Sequence, residues 1–352
     1  MKNIVLKNIC LCISAAAIFS SCKPEERVIG TTETSWQLLA ASETPAALKI
    51  IEHPGSKIIQ DDAYFSANQQ EFPAVTKIVE YKGALYLLKK DSAQIEVVDN
   101  KTFKKVGGID LGANSGSALD ITFANATTAY VIHANSSMVS VIDITTNTVA
   151  RTIAVGRVPV AIAAVGNQVY VANQDDNTVS VIDTRTNIVE ATLPVHTAPM
   201  ALQGHPEQNE MLVLSLGGGK LLKEGEAKSP ARLTFIDAAT RQTISSVSVF
   251  EVAKDSLIGV PIGFALAQSA YPYAFVAFKK SLIRVDARRH NSAKVIQRTI
   301  PASGIVYNFK RNELFISNRD AASTQVTTAD PVSGDKRSTF TLPFSANYLL
   351  PF

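Results

Sequence analysis

The stretch Asn177-Thr-Val-Ser-Val-Ile-Asp-Thr-Arg-Thr-Asn187 decides the architecture, because it has a near copy 40 residues upstream, Ser137-Met-Val-Ser-Val-Ile-Asp-Ile-Thr-Thr-Asn147. A repeat at a fixed period marks an array of like structural units. Decayed copies continue on both sides. Ile95-Glu-Val-Val-Asp99 ends 44 residues before Asp143, and Leu233-Thr-Phe-Ile-Asp237 ends 54 after Asp183. Leu282-Ile-Arg-Val-Asp286 follows after another 49, and Gln325-Val-Thr-Thr-Ala-Asp330 after another 44.

Within one unit, four runs read as strands: Val160 to Val165, Gln168 to Asn173, Thr178 to Asp183 and Ile188 to Leu193. They are short, β-branched and partly alternating, and Gly, Asn and Asp turns separate them. Apolar spacing near 3.6, which a helical solenoid requires, is absent. Four strands per unit of about 40 to 45 residues is a propeller blade. Full units span 71–111, 117–155, 159–195, 199–249, 262–300 and 303–342. About three strands remain in 35–65 and one in 345–352, which predicts a seventh blade shared by the chain ends. Such a blade pairs edges that would otherwise stay open. The expected fold is therefore all-β, a seven-bladed propeller of four-stranded blades over 35–352. The recurrent aspartate sits in a tight hairpin, where its carboxylate accepts backbone N–H bonds and the asparagine tolerates a left-handed conformation. These aspartates are read as structural.

The N-terminus is organised differently. Lys2 and Lys7 precede an apolar run from Ile9 to Phe19, too short to span a bilayer, which ends Phe19-Ser-Ser-Cys22. This layout predicts a signal peptide over 1–21. The segment resembles a lipobox with Phe19 in place of the usual leucine, which implies lipidation of Cys22. Residues 22–34 read as the lipidated cysteine and a polar tether. Glu25 and Glu26 resemble the surface-export signal of some Gram-negative lipoproteins. The other cysteines, Cys10 and Cys12, lie inside the signal, so the mature chain holds none beyond Cys22 for thiol chemistry or a disulfide.

The 34 cations less Lys2 and Lys7 leave 32 against 31 anions. This balance gives no broad basic face, and no nucleic-acid partner is expected. The five histidines form no pair at metal-ligand spacing, and Gly217-Gly-Gly-Lys220 lacks the spacing of a phosphate loop. No catalytic residue, metal site or cofactor is expected.

Tyr170-Val-Ala-Asn173 followed by Asn177-Thr-Val-Ser-Val-Ile-Asp183 resembles the repeat of the YVTN β-propeller family. That family is similar to YncE-like and cobalamin-binding propeller lipoproteins. The resemblance implies a non-enzymatic outer-membrane lipoprotein, on the periplasmic side or at the cell surface. Its loop face would bind a small molecule or a protein, for instance a corrinoid passed to a TonB-dependent transporter. The alternatives are a propeller enzyme of the lactonase or quinone-linked dehydrogenase type, or a nucleic-acid-binding propeller.

Propellers bind ligands over the axis, on the face carrying the connections between strands 2 and 3 and between strand 4 and the next blade. On that face the sequence places Tyr64, Phe65, Asn68, Lys90, Asn135, Arg157, Asn173, Asp175, Asp176, His196, Lys220, Lys280, Asn318 and Arg319 as candidate ligand-binding residues. Tyr64 and Phe65 also read as blade core. Two connections, 216–229 and 250–260, exceed what a blade needs, and long loops on a rigid scaffold tend to carry binding.

Overall fold

The computed structural model describes residues 36–53, 56–113, 115–218, 229–249, 252–253, 256–257, 261–267, 272–291, 293–297 and 301–351. Cys22, the signal segment, the tether, most of 216–229 with Lys220, and most of 250–260 lie outside the described residues.

Seven four-stranded antiparallel sheets are present, which makes the fold a seven-bladed propeller. Blade 1 holds three strands from the N-terminal part, Trp36–Glu43, Ala46–His53 and Lys57–Gln60. Its innermost strand, Ala346–Pro351, comes from the C-terminal end. Leu38 stands opposite Pro351 and Ala41 opposite Tyr348, so the chain ends close the ring as the leftover segments predict. Blades 2 to 7 begin with the innermost strands Val75–Tyr81, Ala118–Phe123, Pro159–Val165, Pro199–His205, Gly263–Ala267 and Gly304–Asn308, and each runs outward in chain order.

Alternation along each strand sends side chains to both faces, and each face packs against a neighbouring blade. Seven apolar clusters result, one for each interface between blades. Tyr130, Ile132, Val169 and Val171 fill the wedge between blades 3 and 4, for example, and Leu38, Ile51, Phe315 and Val326 that between blades 7 and 1. This is why second strands such as Gln168–Asn173 read as nearly continuous apolar runs, both faces of the sheet being buried there, while outermost strands such as Ile188–Pro194 alternate.

The recurrent aspartate occupies the same turn between strands 3 and 4 in blades 2 to 7. One oxygen of Asp183 accepts the backbone N–H groups of Arg185 at 2.7 Å and Thr186 at 3.1 Å. Asp99, Asp143, Asp237, Asp286 and Asp330 accept equivalent bonds. The residue four positions on is left-handed every time: Phe103, Asn147, Asn187, Arg241, His290 and Gly334.

Candidate functional site

The face carrying the connections from second to third strand, here called the upper face, opens into a basin of about 590 Å³ over blades 7, 1 and 2. Its walls are Glu43 and Ser345 of blade 1, Lys90 of blade 2, and Arg319, Asp320 and Ala321 of blade 7, with Asn347 at its floor. Lys90 Nζ faces Glu43 at 3.8 Å. This exposed pair fixes a shape more than it adds stability. Asp320 is turned into its own loop, where it accepts from the Ala322 and Ser323 backbones and the Ser323 hydroxyl. These bonds hold its carboxyl below the usual range.

Arg319 and Asn347 also wall a narrower cavity of about 330 Å³ that reaches the innermost strands. Ser303, Gly304, Ile305 and Val306 line it from blade 7's first strand and the residue before it. Phe315 and Ser317 line it from blade 7's second strand, Tyr348 and Leu349 from the closing strand, and Lys77 from blade 2.

A backbone irregularity places three of the cavity's lining residues, Asn347, Tyr348 and Lys77. In blades 1 to 5 the innermost strand carries a register shift near its upper end, so that one residue is left unpaired: Asn347, Thr76, Leu119, Val160 and Met200. A bulge of this kind re-aims the side chains beside it. The skipped Asn347 meets the Arg319 guanidinium through its side-chain oxygen. The residues just after the shift are Tyr348, Lys77, Asp120, Ala161 and Ala201. Three adjacent blades thus present polar groups near the axis, and the next two present methyl groups. Lys77 Nζ donates to Asp120, whose Oδ1 also accepts from the Ile121 backbone at 2.8 Å. Burial, and secondarily the Asp120 charge, pushes the Tyr348 phenol well above its ordinary value, so it stays protonated as a donor.

Of the residues marked on sequence grounds, the fold brings Lys90 and Arg319 into one basin. Arg319 ends the strand Glu313–Arg319, and Asn318 lies within that strand, not in a loop as expected. Arg157 and Asp176 engage each other: Asp176 accepts the Arg157 backbone N–H at 2.7 Å and the side-chain Nε at 2.6 Å. Asp175 is exposed beside them, and Asn135 and Lys280 are exposed on their own turns. His196 contacts the Pro230 carbonyl at 2.9 Å, and burial lowers its pKa.

The stretch 64–69 departs furthest from the sequence reading. It belongs to a short helix, Ala63–Asn68, that wedges between blades 1 and 2. Tyr64 is buried there, with its hydroxyl on Glu96, so it belongs to the core. Asn68 bonds Phe103 O at 2.8 Å and Lys105 N at 2.8 Å, at the opposite end of blade 2 from Lys90. Phe65 remains exposed, away from the basin. Asn173 is likewise buried: its amide donates to Thr178 Oγ1 and Ser180 Oγ, which ties the second strand of blade 4 to the third. The corresponding His133 of blade 3 contacts Ser140 in the same way at 2.8 Å.

Sequence reading missed Glu43, Lys77, Asp120, Asn347 and Tyr348. A signal existed for two of them. Lys77 and Asp120 are charged positions in strands whose counterparts in blades 4 and 5 carry alanine, which an alignment of innermost strands would show. Among the described residues, no three His, Cys, Asp or Glu side chains are grouped to hold a metal ion.

Seven four-stranded blades with a polar basin over blades 7, 1 and 2 define a propeller with a recessed site among the described residues of its upper face. The chain belongs to the DUF5074 family, a domain of unknown function, whose model matches residues 44–328. Among curated proteins nothing matches. Two solved structures are similar in fold. Kuenenia stuttgartiensis hydrazine synthase has a TM-score of 0.57 and 16% identity over 70% of this chain and 73% of that one. Dihydro-heme d1 dehydrogenase NirN, in complex with DHE, has a TM-score of 0.56 and 8% identity over 89% of this chain and 74% of that one. At such identities the likeness carries the fold and nothing about the site.

Proposed function

We propose that this chain is a non-enzymatic capture protein of the cell envelope, tethered through a lipidated Cys22, whose upper face takes a small molecule into the basin over blades 7, 1 and 2. The observation that carries the reading is the stacked pair of spaces sharing Arg319 and Asn347. A recessed, partly apolar hollow with a few converging polar groups is the usual form of a small-molecule site. Handing the ligand to an outer-membrane transporter follows from the lipid tether and from the resemblance to YVTN-type lipoproteins, which also makes a corrinoid one ligand to try.

The test is a thermal-shift screen of the full chain in mild detergent against corrinoids, haem, glycans, organic acids and divalent metals. A ligand at 100 times its Kd stabilises the folded state by about 2.7 kcal/mol. The expected result is a shift that Lys90→Glu with Arg319→Glu abolishes. A shift indifferent to both substitutions, or no shift with any compound, overturns the reading.

A further inference from the structure

The inner cavity differs from the basin above it in charge. The basin's two cations, Lys90 and Arg319, face two carboxylates, Glu43 and Asp320. The cavity is lined by Lys77 and Arg319, and among the described residues no carboxylate lines it. Asp120 stands behind Lys77 and neutralises one of the two charges. One positive charge is left over, and it belongs to Arg319. The Arg319 guanidinium has five N–H donors, and Asn347 takes one of them. No carboxylate pairs with it among the described residues, although Asp320 follows it in sequence. The Asp320 carboxylate is committed to three donors of its own turn.

The remaining lining divides cleanly. Ser317 and the Tyr348 phenol supply neutral hydroxyls, the Ser303 hydroxyl being bonded to the Ser317 carbonyl and the Arg319 N–H, and Val306, Phe315 and Leu349, which pack together between blades 7 and 1, supply an apolar wall. An unused guanidinium fork matches the two oxygens of a carboxylate, and charge-assisted bonds of that type are about twice as strong as neutral ones. A single surplus charge favours a monoanion over a dianion. The apolar wall favours a hydrocarbon or aromatic body over a bare inorganic ion.

We infer that the cavity binds a small organic monocarboxylate, its acid group on Arg319 beside Lys77 and Tyr348 and its apolar body against Val306, Phe315 and Leu349. This rests on the capture reading and names its ligand class. Lys77 and Asp120 act as a positioning pair: the ion pair holds the ammonium at the cavity wall.

Phenylacetate is a suitable probe, with 2-phenylethanol as its neutral counterpart and inorganic phosphate as an anion without an apolar body. Titration calorimetry on the full chain in detergent should show saturable binding of phenylacetate alone. Arg319→Gln should weaken it about tenfold or more, the loss expected for one charged hydrogen-bonding partner. Arg319 is exposed, so its replacement should leave the melting temperature in place. The double variant Lys77→Gln with Asp120→Asn removes the inner pair without stranding a charge and should weaken binding less.

Equal binding of 2-phenylethanol or of phosphate overturns the inference, as does unchanged affinity in Arg319→Gln. If phenylacetate fails while a corrinoid or glycan binds through Lys90 and Arg319, this inference falls and the capture reading stands. If nothing binds, both fall.

Discussion

Asp183 shows how one side chain can define a turn six times over. Its carboxylate caps backbone N–H groups that the hairpin between strands 3 and 4 leaves without ladder partners. The side-chain contact from Arg185 and these N–H bonds hold its carboxyl at about 2, below its ordinary 3.8. A depressed carboxyl contributes stability above the unfolded-state value and loses it as pH falls through the folded value. Asp183→Ala should lower the melting temperature by a few degrees at neutral pH, and Asp183→Asn, which keeps an acceptor oxygen, by less. The gap between wild type and Asp183→Ala should close as pH drops from 3.8 to about 2. Melting curves across that range check it, and a gap independent of pH would mean the turn owes nothing to the charge. These aspartates were readable because the turn is local. Asn173, expected on the ligand face, is instead buried, because its partners Thr178 and Ser180 lie across a hairpin and burial decides its role.

At the scale of elements, the closing strand Ala346–Pro351 matters most. It supplies the ladder for the inner edge of Trp36–Glu43, and Ala346, Tyr348, Leu349 and Leu350 join the apolar clusters on both sides of blade 1. A chain ending at Ser345 should lose its single cooperative melt and gain light scattering with concentration, because the exposed edge pairs with other chains. An unaltered melt would show that the other six blades hold the ring without it. The helix Ala63–Asn68 was not legible as a helix. It is six residues long, too short for a periodic apolar pattern, and Asp62 caps it by accepting the Phe65 N–H at 2.9 Å. Its place is set by the wedge between blades 1 and 2, a tertiary feature.

At the scale of the whole molecule, the tether and the ring answer different questions. Among the described residues no helix is long and apolar enough to cross a membrane, and the proposed envelope attachment is through Cys22. Cys22→Ser should move the protein from the membrane fraction to the soluble fraction and abolish incorporation of labelled palmitate. Retention in the membrane pellet would assign anchoring to another part of the chain. The ring in turn decides which residues become neighbours: Lys77 and Tyr348 are far apart in the chain, yet line one cavity because blade 1 is built from both ends.

The sequence by itself determined the number of blades, their strand order, the shared closing blade and the aspartate turns. All of these follow from a 40-residue period and from local turn chemistry, which act over a few residues at a time. It also marked Lys90 and Arg319 as face residues, because loop positions follow from strand order. Only the tertiary structure decided that these two share a basin with Glu43 and Asn347, that Arg157 is taken up by Asp176, and that Tyr64 and Asn173 are buried. Those outcomes depend on which blades adjoin across the axis and on a one-residue bulge that turns Asn347 and Tyr348 toward the cavity.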